Sequence, residues 1–393
     1  MENEQRVKMA VVGVGVMGSQ HLKDIHAFEQ AELVAICDAD RTKADRFATQ
    51  YGAKAYYDYR ELLDMPGLDA ILIATPHYDH PVISIAAFQK GIHVLVEKPI
   101  AVHAKDARKM IAAHDAAKAQ KPDLVFAAMF MQRTYGHWQR IKEMIEQGEL
   151  GRLVRTTWII TNWYRPQIYY DQGGWRATWG GEGGGVLLNQ CPHNLDLYQW
   201  FVGLPARVTA FAGIGKYHRI EVEDEVTAYL EYDNGMVGHF ITTTAESPGT
   251  NRLEIVGEHG KLIFEDDQLT FYKNRMSMFK HTQIATGMFE KVECETIEVP
   301  YQHHGEPGHR FIIENFVEAI RVGAPLIAPA AEGLNSVMLG NAMLFSAFQK
   351  QTISLPFDED GYERQLQERI QHSTFQKTVR ADAISAVDLG NSF

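Results

Sequence analysis

A lysine closing one apolar run and a histidine opening a helical one are the side chains of this sequence best suited to move protons. Lys98 lies in Glu97-Lys98-Pro99, directly after His93-Val94-Leu95-Val96. An ammonium at that place can hydrogen-bond a hydroxyl oxygen and stabilise the charge that develops on it. The competing reading is a solvated loop lysine paired with Glu97. His193 follows Gly183-Gly184-Gly185, Asn189 and Pro192, and the proline suits a first helical turn. An imidazole titrating near neutrality is the natural general base for removing a hydroxyl proton. Asn189 is close enough in sequence to orient the same hydroxyl, but its neutral amide cannot pass on a proton. The competing reading makes His193 structural and gives Asn189 or Cys191 the task of capping the helix. Asp196, three residues further on, either approaches His193 or serves the surface or the packing.

Taking a proton from a carbinol is useful only if a hydride has somewhere to go. Met9-Ala10-Val11-Val12 runs into Gly13-Val14-Gly15-Val16-Met17-Gly18, and a second apolar run, Leu33-Val34-Ala35-Ile36-Cys37, ends in Asp38. In such a turn Gly13 permits the bend and Gly15 lets backbone approach a pyrophosphate. Gly18 lets the next helix pack on the strand, so that the phosphates meet free N–H groups at its N-terminus. The expected ligand is a dinucleotide, held by Gly13, Gly15, Val16, Met17 and Gly18. Asp38 would accept from both ribose hydroxyls and repel a 2′-phosphate, which favours NAD over NADP; Arg41, close in sequence, pulls against that preference. Ligands in open parallel sheets lie beyond the carboxyl ends of the strands. Thr75, Pro76, His80, Glu97 and Lys98 are therefore expected beside the cofactor.

Trp163-Tyr164-Arg165-Pro166-Gln167-Ile168-Tyr169-Tyr170 and Trp175-Arg176-Ala177-Thr178-Trp179 form a dense aromatic and arginine loop ahead of the triple glycine. Flat rings pack on the C–H faces of sugars and arginine tips bind hydroxyls, so Trp163, Arg165, Trp175 and Arg176 are expected to line the substrate. The alternatives are a loop pinned down by its own aromatics, or arginines that bind a carboxylate or phosphate. His77 and His80 have the look of a metal pair, yet Asp79-His80-Pro81 reads better as a helix start. His303, His304 and His309 match no zinc spacing, and no metal is expected.

Short apolar runs alternating with helical segments must position these groups. Strands are expected over Lys8–Gly13, Glu32–Asp38, Asp69–Thr75, His93–Glu97 and Leu124–Met129, with helices over Thr42–Tyr51 and Ala104–Gln120. After Gly151 the pattern turns to alternation. Val154, Trp158 and Ile160 are expected on one face, with Arg155, Thr157 and Thr161 on the other. Asp233-Asn234-Gly235 signals a hairpin between Glu225–Tyr232 and Met236–Thr243, and a second turn joins Leu253–Val256 to Lys261–Phe264. Helices are expected over Gly308–Val322 and Ala331–Phe348. The fold class is thus α/β: a doubly wound parallel sheet in residues 1–130, an α+β domain with a mainly antiparallel sheet in 131–362, and a helix and tail in 363–393.

The 393 residues, 45% of them apolar, can bury sizeable cores, and a net charge of −12 speaks against a nucleic-acid partner. Three scattered cysteines support no disulfide framework, and the sequence holds neither an apolar leader nor a bilayer-spanning run. A cytoplasmic protein with no membrane partner is expected.

Taken in order, the glycine turn, Glu97-Lys98-Pro99, the triple glycine with Asn189-x-x-x-His193, Ala331-Glu332-Gly333-Leu334-Asn335-Ser336 and Leu355-Pro356 resemble the Gfo/Idh/MocA oxidoreductases over nearly the whole chain. The resemblance implies that Lys98 and His193 are catalytic, that Lys98-Pro99 is a cis bond, and that an open-faced second sheet supports a homo-tetramer or dimer. Asn189 departs from the pattern, since many inositol dehydrogenases in the family carry aspartate there. The activity implied is NAD-dependent oxidation of a ring hydroxyl of a cyclitol, sugar or sugar derivative. A glycoside-cleaving enzyme that recycles its NAD and a non-catalytic NAD-dependent sensor are the alternatives.

Overall fold

The computed structural model describes residues 6–303 and 305–379. The first sheet has six parallel strands: β1 (Val7–Val12), β2 (Ala31–Cys37), β3 (Lys54–Tyr56), β4 (Ala70–Ile73), β5 (His93–Val96) and β6 (Phe126–Ala128). Their order is β3-β2-β1-β4-β5-β6. The chain reverses direction across the sheet between β1 and β4, so the carboxyl ends of these two strands flank a crevice. Every residue of β4 and β5 is buried, which is why these strands read as continuous apolar runs. The expected strands are all present. β3 was not expected, because three residues at a sheet edge carry no readable period.

The second sheet has nine strands. They are β7 (Leu153–Ile160), β8 (Arg207–Ile214), β9 (Glu223–Glu231), β10 (Val237–Thr243), β11 (Asn251–Gly257), β12 (Gly260–Glu265), β13 (Gln268–Asn274), β14 (Cys294–Glu298) and β15 (Ile353–Ser354). Their order is β14-β13-β12-β11-β7-β10-β9-β8-β15, and among the described residues of this second sheet β7 and β10 are the single parallel pair. Both expected hairpins form, in register Val237↔Glu231 and Gly257↔Gly260. The expected face of β7 shifts slightly: Thr156, Trp158 and Ile160 are its buried residues, and Thr161 lies past its end and is buried as well.

One face of this sheet is covered by helices Pro192–Val202 and Gly333–Gln349. The first lies so close to β10 that a Cβ on Gly238 would come within 2.1 Å of the Tyr198 hydroxyl, so only glycine fits beneath it. The helix carrying His193 is thereby seated directly on the sheet. The other face is open, with Phe211 73% and Tyr229 40% exposed.

Helix His309–Val322 returns to the first core, where Ile312, Ile313, Phe316 and Val317 pack among the residues of β1 to β6. The boundary expected at residue 363 falls inside helix Glu359–Gln371, whose Tyr362 and Leu366 are buried in the second core. The tail beyond residue 379 lies outside the described residues. Among the described residues no helix is long and apolar enough to cross a membrane.

Candidate active site

The glycine turn forms between β1 and helix Val16–His26. Gly13 has φ +88°, and a Cβ on it would meet the Ala74 carbonyl at 2.7 Å; one on Gly18 would lie 1.9 Å from the Gly13 carbonyl oxygen. Nothing stands within 4 Å of a Cβ on Gly15, and no side chain caps the helix. Free N–H groups therefore face open space beside the exposed Val16 and half-buried Met17, an arrangement that fits a pyrophosphate. Asp38 accepts from the Val14 and Asp40 N–H groups at 2.8 Å each, bracing the turn while its carboxylate keeps lone pairs for a ribose. Arg41 lies over the Tyr57 ring, 4.1 Å from its centroid.

At the carboxyl end of β4 the buried Thr75 hydroxyl has no protein partner, which leaves it open to a bound ligand. His80 corrects an expectation. It is fully buried, and its ring nitrogens lie 2.9 Å from the Pro99 and Thr75 carbonyls, so it ties the ends of β4 and β5 together from beneath. His77 is also enclosed, with Nδ1 donating to the Glu182 carbonyl at 3.1 Å and burial pushing its pKa down to about 3.

Glu97 is buried, and its partner is not the Lys98 ammonium. His21 Nε2 lies 2.7 Å from its Oε1, and the Lys98 backbone N–H donates to Oε2 at 3.0 Å. Burial alone would raise the Glu97 pKa, but the His21 hydrogen bond and nearby positive charge hold it well below the usual carboxylate range. His21 was missed from sequence, although a histidine one turn after Gly18 on the helix that follows β1 was a readable signal. Lys98-Pro99 is cis, as the resemblance implied. The Lys98 ammonium donates to the backbone carbonyl of Asn189 at 3.0 Å. Burial lowers its pKa; Glu97 opposes that, and Arg176 and Arg165 add to it.

His193 is 3% exposed, edge-on to Phe130, and neither ring nitrogen has a protein hydrogen bond. Burial first, then Lys98 and His309, keep its pKa well below the ordinary histidine value. The result is a neutral imidazole with an unused lone pair, electrostatically coupled to an ammonium. Asp196 does not assist it. Arg133 grips Asp196 in a bidentate pair at 2.7 and 2.6 Å and also reaches Glu332, which anchors the His193 helix to the segment just after β6.

Asn189 is also redirected. Its Oδ1 accepts from the Tyr169 hydroxyl at 3.0 Å and from Gln190 at 3.3 Å, and its Nδ2 donates to Glu182. The amide is spent inside the loop, and what Asn189 offers Lys98 is its backbone carbonyl. Glu182, enclosed and bonded to the Ala177 N–H at 2.7 Å, was not foreseen; its only sequence signal is one acid inside Gly180-Gly181-Glu182-Gly183. Trp163 is 8% exposed and turned inward to Asn194, so it packs rather than lines an open surface. Arg165, Trp175 and Arg176 gather around Tyr169 and His77. His303 joins Tyr135, His137 and Tyr301 away from His309, which lies against His21.

Two family models match. Residues 7–122 match the oxidoreductase family with an NAD-binding Rossmann fold, and residues 138–263 match the GFO/IDH/MocA C-terminal domain. The chain is 26% identical over 269 residues to scyllo-inositol 2-dehydrogenase (NAD(+)) of Bacillus subtilis, covering 66% of this chain and 74% of that one. It is 25% identical over 395 residues to levoglucosan dehydrogenase of Pseudarthrobacter phenanthrenivorans, covering 90% and 99%. Among solved structures it resembles the WlbA dehydrogenase of Bordetella pertussis in complex with NADH and UDP-GlcNAcA. That match has a TM-score of 0.75 and 28% identity, covering 90% of this chain and all of that one. With its glycine turn, cis Lys98-Pro99 and helix-borne His193 in place, the chain belongs to the Gfo/Idh/MocA family of oxidoreductases and carries that family's NAD-binding Rossmann domain.

Proposed function

We propose that the protein oxidises a ring secondary hydroxyl of a sugar, cyclitol or sugar derivative to a ketone, with NAD as the acceptor. The observation that carries this reading is His193: a buried, neutral imidazole with no protein partner, coupled to the Lys98 ammonium. Its kinship to an inositol dehydrogenase and a levoglucosan dehydrogenase supports a polyol substrate. When bound, NAD supplies the hydride acceptor at its nicotinamide. Gly13, Gly15, Val16, Met17, Gly18 and Asp38 would hold the dinucleotide, with Thr75 and Pro76 beside its reactive ring.

The ammonium of Lys98 uses one N–H on the Asn189 carbonyl and keeps two for a substrate oxygen. As the C–H bond gives up its hydride, the hydroxyl proton passes to His193, and Lys98 stabilises the oxygen while it carries negative charge. Glu97 does not touch the substrate; fixed by His21, it holds the Lys98 backbone. Arg165, Trp175 and Arg176 would meet the sugar. We assign the open face around Phe211 and Tyr229 to contact between copies of the chain.

The test is a screen of inositols, aldoses and glycosides with NAD, read by the near-ultraviolet absorbance of NADH. Lys98→Met and His193→Ala should each lose roughly 10²–10⁴-fold in turnover while still binding NADH. Near-normal turnover in His193→Ala would remove the histidine from the mechanism.

A further inference from the structure

The aromatic loop concentrates positive charge where the protein as a whole is acidic. Tyr169 lies between two guanidiniums, Arg165 at 5.3 Å and Arg176 at 4.8 Å from its ring centre. Its hydroxyl donates to Asn189 Oδ1 at 3.0 Å and accepts from Arg176 Nη1 at 2.7 Å. The Asn189 backbone in turn takes the Lys98 ammonium. A fourth cation, Lys377, reaches over from the C-terminal segment to the Arg176 carbonyl. One tyrosine and one asparagine thus string together three cations, with a fourth alongside, in a chain whose net charge is −12.

The negative charge available against them is already committed. Glu182 is enclosed, bonded to Asn189 and the Ala177 N–H, and stands 4.0 Å from Arg176. Arg165 makes no ion pair among the described residues; its guanidinium donates to the neighbouring Tyr164 carbonyl at 3.0 Å. The residue is half-buried, with its guanidinium stacked over Trp163 at 5.5 Å and Tyr169. A guanidinium held there without a counter-ion is open to an anionic ligand that supplies one. Both guanidiniums also lower the pKa of the buried Lys98, so their charge is felt at that ammonium. A neutral polyol would leave that surplus uncompensated.

Resting on the dehydrogenase reading above, we infer that the substrate is an anionic sugar or cyclitol whose carboxylate or phosphate seats on Arg165. The planar fork of arginine matches either anion by two parallel hydrogen bonds, which a lysine cannot reproduce.

The test compares matched substrates on the full chain with NAD: glucose, glucuronate and glucose 6-phosphate, and the corresponding galactose and mannose sets. In at least one set kcat/KM for an acidic member should exceed that of its neutral parent by roughly ten- to a hundredfold, the worth of one charge-assisted hydrogen bond. Whether the uronate or the phosphate is preferred identifies the anion. Arg165→Gln should collapse that ratio and Arg165→Lys should restore part of it, with melting temperatures checked for both. In wild type, added salt should raise KM for the acidic member alone. A neutral parent used as well as its acidic partners, or a ratio unmoved by Arg165→Gln, overturns the inference and leaves the dehydrogenase reading standing. Absence of NADH from every member of every set, and from neutral inositols, overturns both.

Discussion

Replacing Asn189 with aspartate would install the acid that the family resemblance leads one to expect there, and the structure argues that it would damage this protein. Asn189 Nδ2 now donates to the enclosed Glu182 carboxylate. In Asn189→Asp that donor becomes a second acceptor, and two like charges face each other. At about 4 Å and an effective dielectric of about 20, they repel by about 4 kcal/mol. Burial already raises the Glu182 pKa, against the pull of Arg176 and the hydrogen bonds from Ala177 and Asn189. The variant escapes the repulsion only by keeping a proton on one carboxyl. That carboxyl's folded pKa then lies above its unfolded value, the folded state binds more protons between the two, and stability falls as pH rises through that window. Denaturant unfolding should therefore find the variant near wild type at about pH 4 and weaker by up to about 4 kcal/mol at about pH 9. NADH production should fall in parallel, because the Asn189 carbonyl that holds Lys98 moves with the loop. Glu182→Gln combined with Asn189→Asp exchanges amide and carboxylate and should recover most of the loss. An Asn189→Asp protein as stable and active as wild type at about pH 9, or a double variant worse than both singles, would refute this account.

Two further outcomes are expected. Because burial, Lys98 and His309 hold His193 neutral, the acid limb of kcat/KM for oxidation should lie well below the ordinary histidine value of about 6.5; the lowered Lys98 pKa should bring the alkaline limb below the ordinary lysine range. An acid limb at the ordinary histidine value in a pH–rate profile would remove His193 as the buried base. Arg133→Met strips Asp196 and Glu332 of their shared partner and should cost about 3–5 kcal/mol by urea unfolding, most of it recovered when Asp196→Leu is added.

Much of this molecule was legible locally. The glycine turn, the continuously apolar strands, the Asp-Asn-Gly hairpin and the proline-started helix each report a backbone conformation, and a few neighbouring residues determine that. Placing Lys98 and His193 at element ends followed from the same patterns. The two short edge strands and the parallel pairing of β7 with β10 did not, because neither a two- or three-residue strand nor a choice of neighbour leaves a period in the sequence.

Partnership was decided only in three dimensions. His21 meets Glu97 across 76 residues and Arg133 meets Asp196 across 63, while His80 turns beneath the cleft and Asn189 toward Glu182. A buried charge or amide takes whichever complementary group the packed chain brings within hydrogen-bond reach, and that group is set by the whole fold. The sequence by itself thus determined which side chains are candidates for proton chemistry and which elements carry them. The tertiary structure decided which stay free to act: His193 and Lys98 remain available, whereas the side chains of Asn189, Asp196 and His80 are already occupied.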